Sequence, residues 1–347
     1  MITYAIMALA VLFLAFELLY KAEYRPDAAR LFDKQNSNAM RGFWCLIVIL
    51  VHIPMAYQNR IQDMLGSFAY IGVTFFFMTS SYGLRLVIEE DPNSIRHFWR
   101  KRLPRLLIPM FLVNVVSLIF RLLEGNGLSF STLININGWV QWLLVCYVIF
   151  WVVNRFVGKS LLDNRGGVQD IIVCVLIIVF SATVYLLKCH IFATTWCPEI
   201  FGFVWGIIFF HIKKCFAAWV DKKWLPKCVA LCLIAGIAGI AYLKYKPVVF
   251  FGDYLLKILL GVLIITFMLA VNSRIAIGNK VNLFLGSISY EVYLLHGSVF
   301  GLLAFLAPEI GSGIFIGLST AITVGVAWVI RLVGTWTVKT VSNVIAK

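Results

Sequence analysis

The sequence predicts an all-α integral membrane protein, a bundle of about ten or eleven transmembrane helices. Hydrophobic residues make up 61% of its 347 residues, charged residues only 13%, and the mean hydropathy is +0.92. A soluble domain cannot bury so large an apolar fraction, so most of this surface must face lipid. Apolar stretches long enough to cross a hydrocarbon core of roughly 30 Å also recur along nearly the whole chain.

The candidate helices are the stretches that stay apolar over roughly the 20 residues that a membrane span needs. The second stretch is short, and we expect the ends of all of them to shift by a few residues. The ten or eleven candidates lie near residues 2–20, 41–58, 66–88, 103–121, 138–154, 169–187, 197–212, 227–245, 254–272, 283–306 and 312–335.

The first stretch has neither the basic start nor the small-residue cleavage site of a signal peptide, so we expect a retained transmembrane helix. No internal repeat, low-complexity tract or appended soluble domain interrupts the chain. The predicted organisation is an extra N-terminal helix at 1–20, a cytoplasmic linker at 21–40, one membrane domain at 41–335 and a cytoplasmic tail at 336–347.

The positive charge has a membrane explanation. A net charge of +14 in a soluble protein would suggest a nucleic-acid partner. If residues 21–40 are cytoplasmic, however, most of the 30 lysines and arginines fall in cytoplasmic loops, as the positive-inside rule requires. The lipid bilayer, and no nucleic acid, is therefore the predicted partner. The eight cysteines show neither metal-ligand nor disulfide spacing, and no metal site is predicted.

The second candidate helix carries two polar residues in an otherwise apolar stretch, Arg41 and His52. At 100° per residue their separation makes about three full turns, so both project from one face, roughly 16 Å apart along the axis. An imidazole at this depth must face protein or water, since lipid cannot satisfy it. Histidine also titrates near neutral pH, which makes His52 a candidate base. The alternative is a histidine that only hydrogen-bonds a neighbouring helix.

Basic residues crowd the stretch 96–105, around the predicted start of a helix at Leu103–Pro104. Proline suits the first helical turn, and the free N–H groups there attract anions. Arg102 and Arg105 are three residues apart and share a face, so a phosphate bound there would receive charge-assisted hydrogen bonds. The alternative is a cluster that only fixes topology.

Five short motifs follow one another across roughly residues 40–335. Arg41 and His52 fit the pattern of arginine, ten residues and histidine, and Arg102 and Arg105 fit Arg-x-x-Arg. Looser matches are Phe76, Phe77 and Ser80 with Ser81 where glycine is usual, then Trp142 and Leu143, then Ile288, Ser289, Tyr290, Tyr293, Leu294 and His296. In these motifs the sequence resembles acyltransferase family 3, bacterial multi-spanning membrane enzymes that modify surface polysaccharides.

The resemblance implies transfer of an acetyl or other short acyl group from cytoplasmic acyl-CoA to a hydroxyl of an extracytoplasmic acceptor. Acetyl-CoA or another acyl-CoA would be the donor substrate, with no permanently bound cofactor. The acceptor would be a carbohydrate or a lipid-linked sugar. The location implied is the bacterial cytoplasmic membrane, as a multi-pass protein of the cell envelope.

The same resemblance assigns roles to the candidate residues. His52 is expected to act as base or as transient acyl carrier, with Arg41 beside the donor. Arg102, Arg105 and Arg100 would bind the phosphates of the donor. The residues expected to support catalysis or to contact the acceptor are His296, Glu291, Tyr293 and Ser80. Glu291 and His296 are about 140° apart on one helix, so they should face different partners.

Two other functions also fit the sequence. A transporter or flippase for an anionic substrate or lipid-linked saccharide would use the basic cluster as a cytoplasmic gate. The lack of internal repeats counts against a transporter built from inverted halves. A non-catalytic membrane subunit that scaffolds polysaccharide assembly is the third possibility.

Overall fold

The structure is a computed structural model, and it is 82% helical with almost no strand, which confirms the predicted all-α class. Its strands, within the described residues, are one antiparallel pair, Glu23–Tyr24 (β1) and Ile275–Ala276 (β2). The residues it describes are 2–25, 31–58, 65–157, 167–188 and 190–346, without the side chains of 2–8, 10 and 342–346.

Twelve α-helices make up the described fold. They are Ile2–Leu19 (α1), Lys34–Val51 (α2), Tyr70–Glu90 (α3), Phe98–Leu123 (α4), Phe130–Ile134 (α5), Gly138–Phe156 (α6), Gly167–Leu187 (α7), Phe201–Asp221 (α8), Trp224–Tyr245 (α9), Lys257–Asn272 (α10), Lys280–Leu306 (α11) and Ser312–Ala346 (α12). Shorter turns are 3₁₀-helical at Met55–Tyr57, Pro92–His97 and Thr194–Trp196 and π-helical at Phe251–Leu256.

Nine helical stretches among the described residues are long and apolar enough to cross a membrane. They correspond to the nine candidates from 66–88 onwards, so the predicted count of ten or eleven was slightly too high. The structure describes only some of the side chains of the helix α1, and α1 is not among the nine. The predicted tail at 336–347 continues the helix α12 as far as Ala346.

The helix α2 lies seven residues earlier than the predicted 41–58. It begins at Lys34, where the Asp33 side chain caps the helix by accepting from the backbone N–H of Asn36 at 2.6 Å. It ends at Val51, because Pro54 disfavours helical geometry in the residue before it. Its polar first turns explain why α2 is not among the nine apolar spans, and they place Arg41 inside the helix.

The helix α4 also begins earlier than expected, at Phe98, directly after the 3₁₀ turn Pro92–His97. The predicted start at Leu103–Pro104 was therefore wrong. Pro104 lies within the helix, where a membrane protein tolerates proline because neighbouring groups can satisfy the freed carbonyl. Arg102 and Arg105 thus project from the side of a helix and not from its free N-terminal N–H groups.

The helices α2 and α11 run parallel and form the most extensive packing contact in the described fold. Near their starts, Asn38 Nδ2 donates to the Leu283 carbonyl at 2.9 Å. Near the end of α2, the rings of His52 and His296 lie 4.8 Å apart between centroids. The two contacts have nearly the same offset in residue number, so the register holds along the whole pair.

Glycines allow this close approach of α2 and α11. A Cβ atom added at Gly42 would strike the backbone carbonyl of Asn282, and one at Gly286 would strike that of Asn38. Small residues at such positions let two membrane helices meet backbone to backbone. The contact sets the register that brings the histidines of the two helices together.

A second close contact joins α3 and α8. A Cβ atom at Gly202 would strike the carbonyl of Thr74, and one at Gly206 would strike Met78 and the Ser81 hydroxyl. The family pattern that this sequence resembles has glycine at the position of Ser81. Here the glycines that allow close packing lie on the opposing helix instead.

Candidate active site

A cavity of about 1200 Å³ lies between the helices α2, α3, α4, α6, α11 and α12, and we call it the arginine cavity. No acidic residue is found among the described residues that line it. Uncompensated positive charge inside a protein cavity attracts anions and focuses the field on them. The positively charged residues lining it are Lys34, Arg41, Arg102, Arg105 and Arg331.

Arg41 enters this cavity from the third turn of α2. Its Nε is buried and has no hydrogen-bond partner in the described part of the chain, and its Cζ lies 5.7 Å from the centroid of the Phe76 ring. A buried donor without a partner is unfavourable, and an acceptor oxygen of a ligand would satisfy it. The position therefore suits an anionic or carbonyl-bearing substrate.

The structure separates the three arginines that the sequence grouped. Arg102 and Arg105 both line the arginine cavity. Arg100 is exposed and is not among the described residues that line it. Arg100 is two residues before Arg102, about 200° around the helix, so it faces away from the cavity.

Arg331 is a cavity residue that the sequence did not indicate. Its Nη1 lies 3.5 Å from Oε1 of Glu291, whose side chain is 1% exposed. The charges of Arg41 and Arg331 both act on this carboxylate. Glu291 thus has its ion-pair partner, Arg331, on another helix. The only signal in the sequence was an arginine in a long apolar segment, which we attributed to topology.

Ser80 also lines the arginine cavity, where its hydroxyl forms a 2.7 Å hydrogen bond with the hydroxyl of Tyr147. Tyr290 lines the same cavity, and its hydroxyl donates to the carbonyl of Leu106 at 2.8 Å. These bonds tie α3 to α6 and α11 to α4. These two bonds in the cavity wall are neutral, and they use none of the cavity's cations.

His52 lies at the end of α2, as its C-cap residue, and is exposed. Its Nδ1 lies 2.8 Å from the carbonyl oxygen of Val48. A carbonyl can only accept, so Nδ1 carries a proton, and in the neutral ring Nε2 keeps its lone pair. The ring is thus oriented by a backbone carbonyl and presents a free basic nitrogen.

His296 on α11 repeats this arrangement. Its Nδ1 lies 3.2 Å from the carbonyl oxygen of Val292, four residues earlier, and the residue is 9% exposed. Its ring meets that of His52 at 4.8 Å with an interplanar angle of 61°. Glu291 meanwhile pairs with Arg331, so the acid and the histidine of α11 do face different partners. We call His52 and His296 the histidine pair.

A second cavity, of about 540 Å³, lies beside the histidine pair, and we call it the asparagine cavity. Asn114 Nδ2 donates to the carbonyls of Leu133 and Asn135 at 3.0 and 2.8 Å, which fixes the wall formed by α5 and the loop after it. Uncharged polar groups dominate its lining, and their amides and hydroxyls can donate hydrogen bonds to a ligand's hydroxyls and accept from them. Its polar and titratable lining residues are Asn114, Ser117, Arg121, Ser131, Thr132, Asn135, Asn137, Tyr293, His296 and Ser298.

Tyr293 lines both cavities and lies between them. Its ring is 5.2 Å from that of Trp139 and 6.0 Å from that of His296, between centroids. Arg41 and His52, which the sequence places on one face of a helix, therefore do not line the same cavity. Arg41 lines the arginine cavity, whereas His52 is not among its lining residues and instead contacts His296 beside the asparagine cavity.

Comparison with known proteins places these cavities in a family. The profile described as Acyltransferase domain (Acyl_transf_3) matches residues 35–332, which include all the cavity residues named above except Lys34. No curated protein and no solved structure matches the chain.

Proposed function

This chain belongs to that acyltransferase family, as a multi-pass membrane acyltransferase, and we propose that it is an O-acetyltransferase. In this proposal it moves an acetyl or other short acyl group from cytoplasmic acyl-CoA to a hydroxyl of an extracytoplasmic carbohydrate or lipid-linked sugar. The observation that carries the proposal is the meeting of two unlike cavities, one cationic and one neutral, at Tyr293 beside the histidine pair.

The donor would bind in the arginine cavity. Coenzyme A carries a pyrophosphate and a 3′-phosphate, and guanidinium groups bind phosphate oxygens through paired hydrogen bonds. Arg102 and Arg105 offer such groups from one face of α4, and Arg41 lies deeper with its unpartnered Nε. The thioester would then extend past Tyr293 towards the histidine pair.

The acceptor would bind in the asparagine cavity. Amide and hydroxyl groups, such as those of Asn135 and Ser298, both donate and accept hydrogen bonds, as sugar hydroxyls do. A hydroxyl held there lies on the histidine side of Tyr293. This arrangement supports transfer between two compartments without movement of coenzyme A across the membrane.

The proposed chemistry uses the free Nε2 of His52. Acting as base, Nε2 takes the proton of the acceptor hydroxyl while that oxygen attacks the thioester carbonyl. The C–S bond breaks, an ester forms, and the coenzyme A thiolate receives the proton. Acting as acyl carrier, Nε2 would attack the thioester itself, and the C–S bond would break to release the coenzyme A thiolate. The acceptor oxygen would then take the acyl group from Nε2, and its proton would pass to that thiolate. The carbonyl of Val48 orients the ring in both routes.

Membranes that contain the protein, supplied with acetyl-CoA labelled on the acetyl group, test this proposal. We expect thioester cleavage with the wild-type protein and loss of cleavage with His52→Ala, whereas the exposed His97→Ala should behave as the wild type. A burst of cleavage without acceptor would favour the acyl carrier. Equal cleavage by His52→Ala would contradict the role proposed for His52. No cleavage by any form would contradict the acetyltransferase proposal and favour the transporter alternative.

A further inference from the structure

Arg121 is the one permanently charged side chain among the described residues that line the asparagine cavity. It lies near the end of α4, one helical turn beyond Ser117. Ser117 forms a 2.7 Å hydrogen bond with Ser298, two residues after His296. Arg121 is therefore about 6 Å further along the helix axis than this serine pair, on the same face.

The charge of Arg121 is not neutralised within the described residues. Its Nη1 reaches only the neutral hydroxyl of Thr132, at 3.5 Å. The nearest acid along the chain, Glu124, accepts from Asn126 Nδ2 at 3.1 Å and forms no ion pair with Arg121 in the described structure. The remaining guanidinium donors stay available for a ligand in the cavity.

We propose that the acceptor carries a negative charge, as a carboxylate or phosphate group that Arg121 binds. This inference rests on the proposed function of the asparagine cavity as the acceptor site. The planar fork of a guanidinium binds both kinds of oxyanion through two hydrogen bonds, while the amides and hydroxyls around it bind a sugar ring. The acceptor class would be an acidic or phosphorylated saccharide.

An arginine near a membrane surface can also bind lipid headgroups. Arg121, however, lines a cavity together with Asn114 and His296, next to the proposed reacting centre. A headgroup contact would not explain why most of the other lining side chains are amides and hydroxyls. The location of the charge therefore favours substrate selection.

Three glycosides that differ only at carbon 6 provide the test: methyl glucoside, methyl glucuronide and methyl glucoside 6-phosphate. Their binding to the full-length protein is measured in nanodiscs of phosphatidylcholine, which has no net charge. We expect at least one charged glycoside to bind about tenfold or more tightly than methyl glucoside, as charge-assisted hydrogen bonds suggest. The charged glycoside that binds more tightly shows whether the site prefers a carboxylate or a phosphate group on the acceptor.

Arg121→Gln should abolish this preference without weakening the binding of methyl glucoside. The matched control Lys244→Gln, which removes a cation outside the cavity, should keep it. Equal binding of all three glycosides, no binding of the charged ones, or a preference that survives Arg121→Gln would each overturn the inference. The binding assay needs no acetyl-CoA, so it is independent of the test for thioester cleavage. If the charged glycosides bind in an Arg121-dependent way but no thioester is cleaved, the proposed transfer activity is contradicted and the inference about Arg121 stands.

Discussion

The arginine cavity and a buried ion cluster between α3, α7 and α8 both contain arginine side chains, but they differ in how the positive charges are paired with acids. In that cluster, which we call the Arg85 cluster, Oδ2 of Asp170 lies 2.9 Å from Arg85 Nε and accepts from His211 Nε2 at 2.6 Å. The side chains of Arg85 and Asp170 are 5% and 2% exposed. Each charge there has a partner in the protein, whereas of the five cations that line the arginine cavity only Arg331 forms an ion pair in the described structure.

This difference distinguishes charged groups that stabilise the fold through ion pairs from charged groups that can bind a ligand. A buried pair is strongly destabilised when one partner is removed, because the other charge stays buried and uncompensated. In the arginine cavity Arg41, Arg102 and Arg105 form no ion pair in the described structure, so the removal of one of them relieves repulsion among the remaining cations. Substitutions should therefore lower stability in the Arg85 cluster and lower activity in the arginine cavity and the histidine pair.

The largest effect is expected at His52, in the histidine pair, which within the described structure contacts no charged partner of the kind found in the Arg85 cluster. His52→Ala removes the proposed base and should lower the acyl-transfer rate by about 10²–10⁴-fold, the usual contribution of such a group. The melting temperature should not change, since His52 is exposed. Rates and melting curves of the purified variant measure both quantities.

The matched histidine substitution is His211→Ala. It removes one partner of Asp170, so it should lower the melting temperature while the folded protein keeps the wild-type transfer rate. A loss of activity in folded His211→Ala as large as that in His52→Ala would show that the Arg85 cluster takes part in catalysis.

The next largest effect concerns the acid of the Arg85 cluster. Asp170→Asn leaves Arg85 buried without a countercharge, which should lower the free energy of unfolding by about 3–5 kcal/mol. Thermal unfolding in detergent, followed by tryptophan fluorescence, gives this value relative to the wild type. The double variant Arg85→Met with Asp170→Leu should recover much of the loss, because an apolar pair needs no partner. Unchanged stability of Asp170→Asn would refute a structural role for the cluster.

A smaller effect is expected in the arginine cavity. Replacing Arg102 and Arg105 together by lysine keeps the charge but removes the guanidinium fork, and should raise KM for acetyl-CoA about 10- to 100-fold. The maximal rate and the melting temperature should change little. The exposed Arg96→Lys is the control, with no expected change in KM. A normal KM in the double variant would support the alternative that these arginines only fix topology.

The sequence predicted most of the helices because the hydropathy of each span is a local property. It misplaced α2 and the start of α4 because it treated polar residues as the ends of helices. The polar turn that begins at Lys34 is helical since Asp33 caps it and α11 covers it, and neither cause is visible in the hydropathy. Pro104 was likewise read as a first-turn residue, although a membrane helix can accommodate it further in.

The candidate site shows the same division. Arg41, Arg102 and Arg105 could be identified because they belong to short motifs. Arg331 and Tyr147 come from segments whose approach to the site depends on helix packing, for which the sequence has no local signal. The contact of His52 with His296 follows from the register of α2 and α11, and so does the division of the site by Tyr293. This register is set by glycine contacts between residues far apart in the sequence.

The smallest expected effect concerns the hydrogen bonds in the wall of the arginine cavity. It tests whether the polar groups of this wall, like the charges of the Arg85 cluster, are bonded to other protein groups and not to a ligand. Tyr147→Phe removes the hydrogen bond to Ser80, so stability should fall by about 1 kcal/mol, the usual value for a neutral bond. Since the cations supply most of the donor binding, KM for acetyl-CoA should change less than in the lysine double variant. Tyr290→Phe, which loses the bond to the Leu106 carbonyl, is the matched comparison. Tyr147→Phe could instead raise KM as much as the lysine double variant does, while Tyr290→Phe leaves KM unchanged. That result would mean that the Tyr147 hydroxyl contacts the donor and that the cavity wall is part of the binding site.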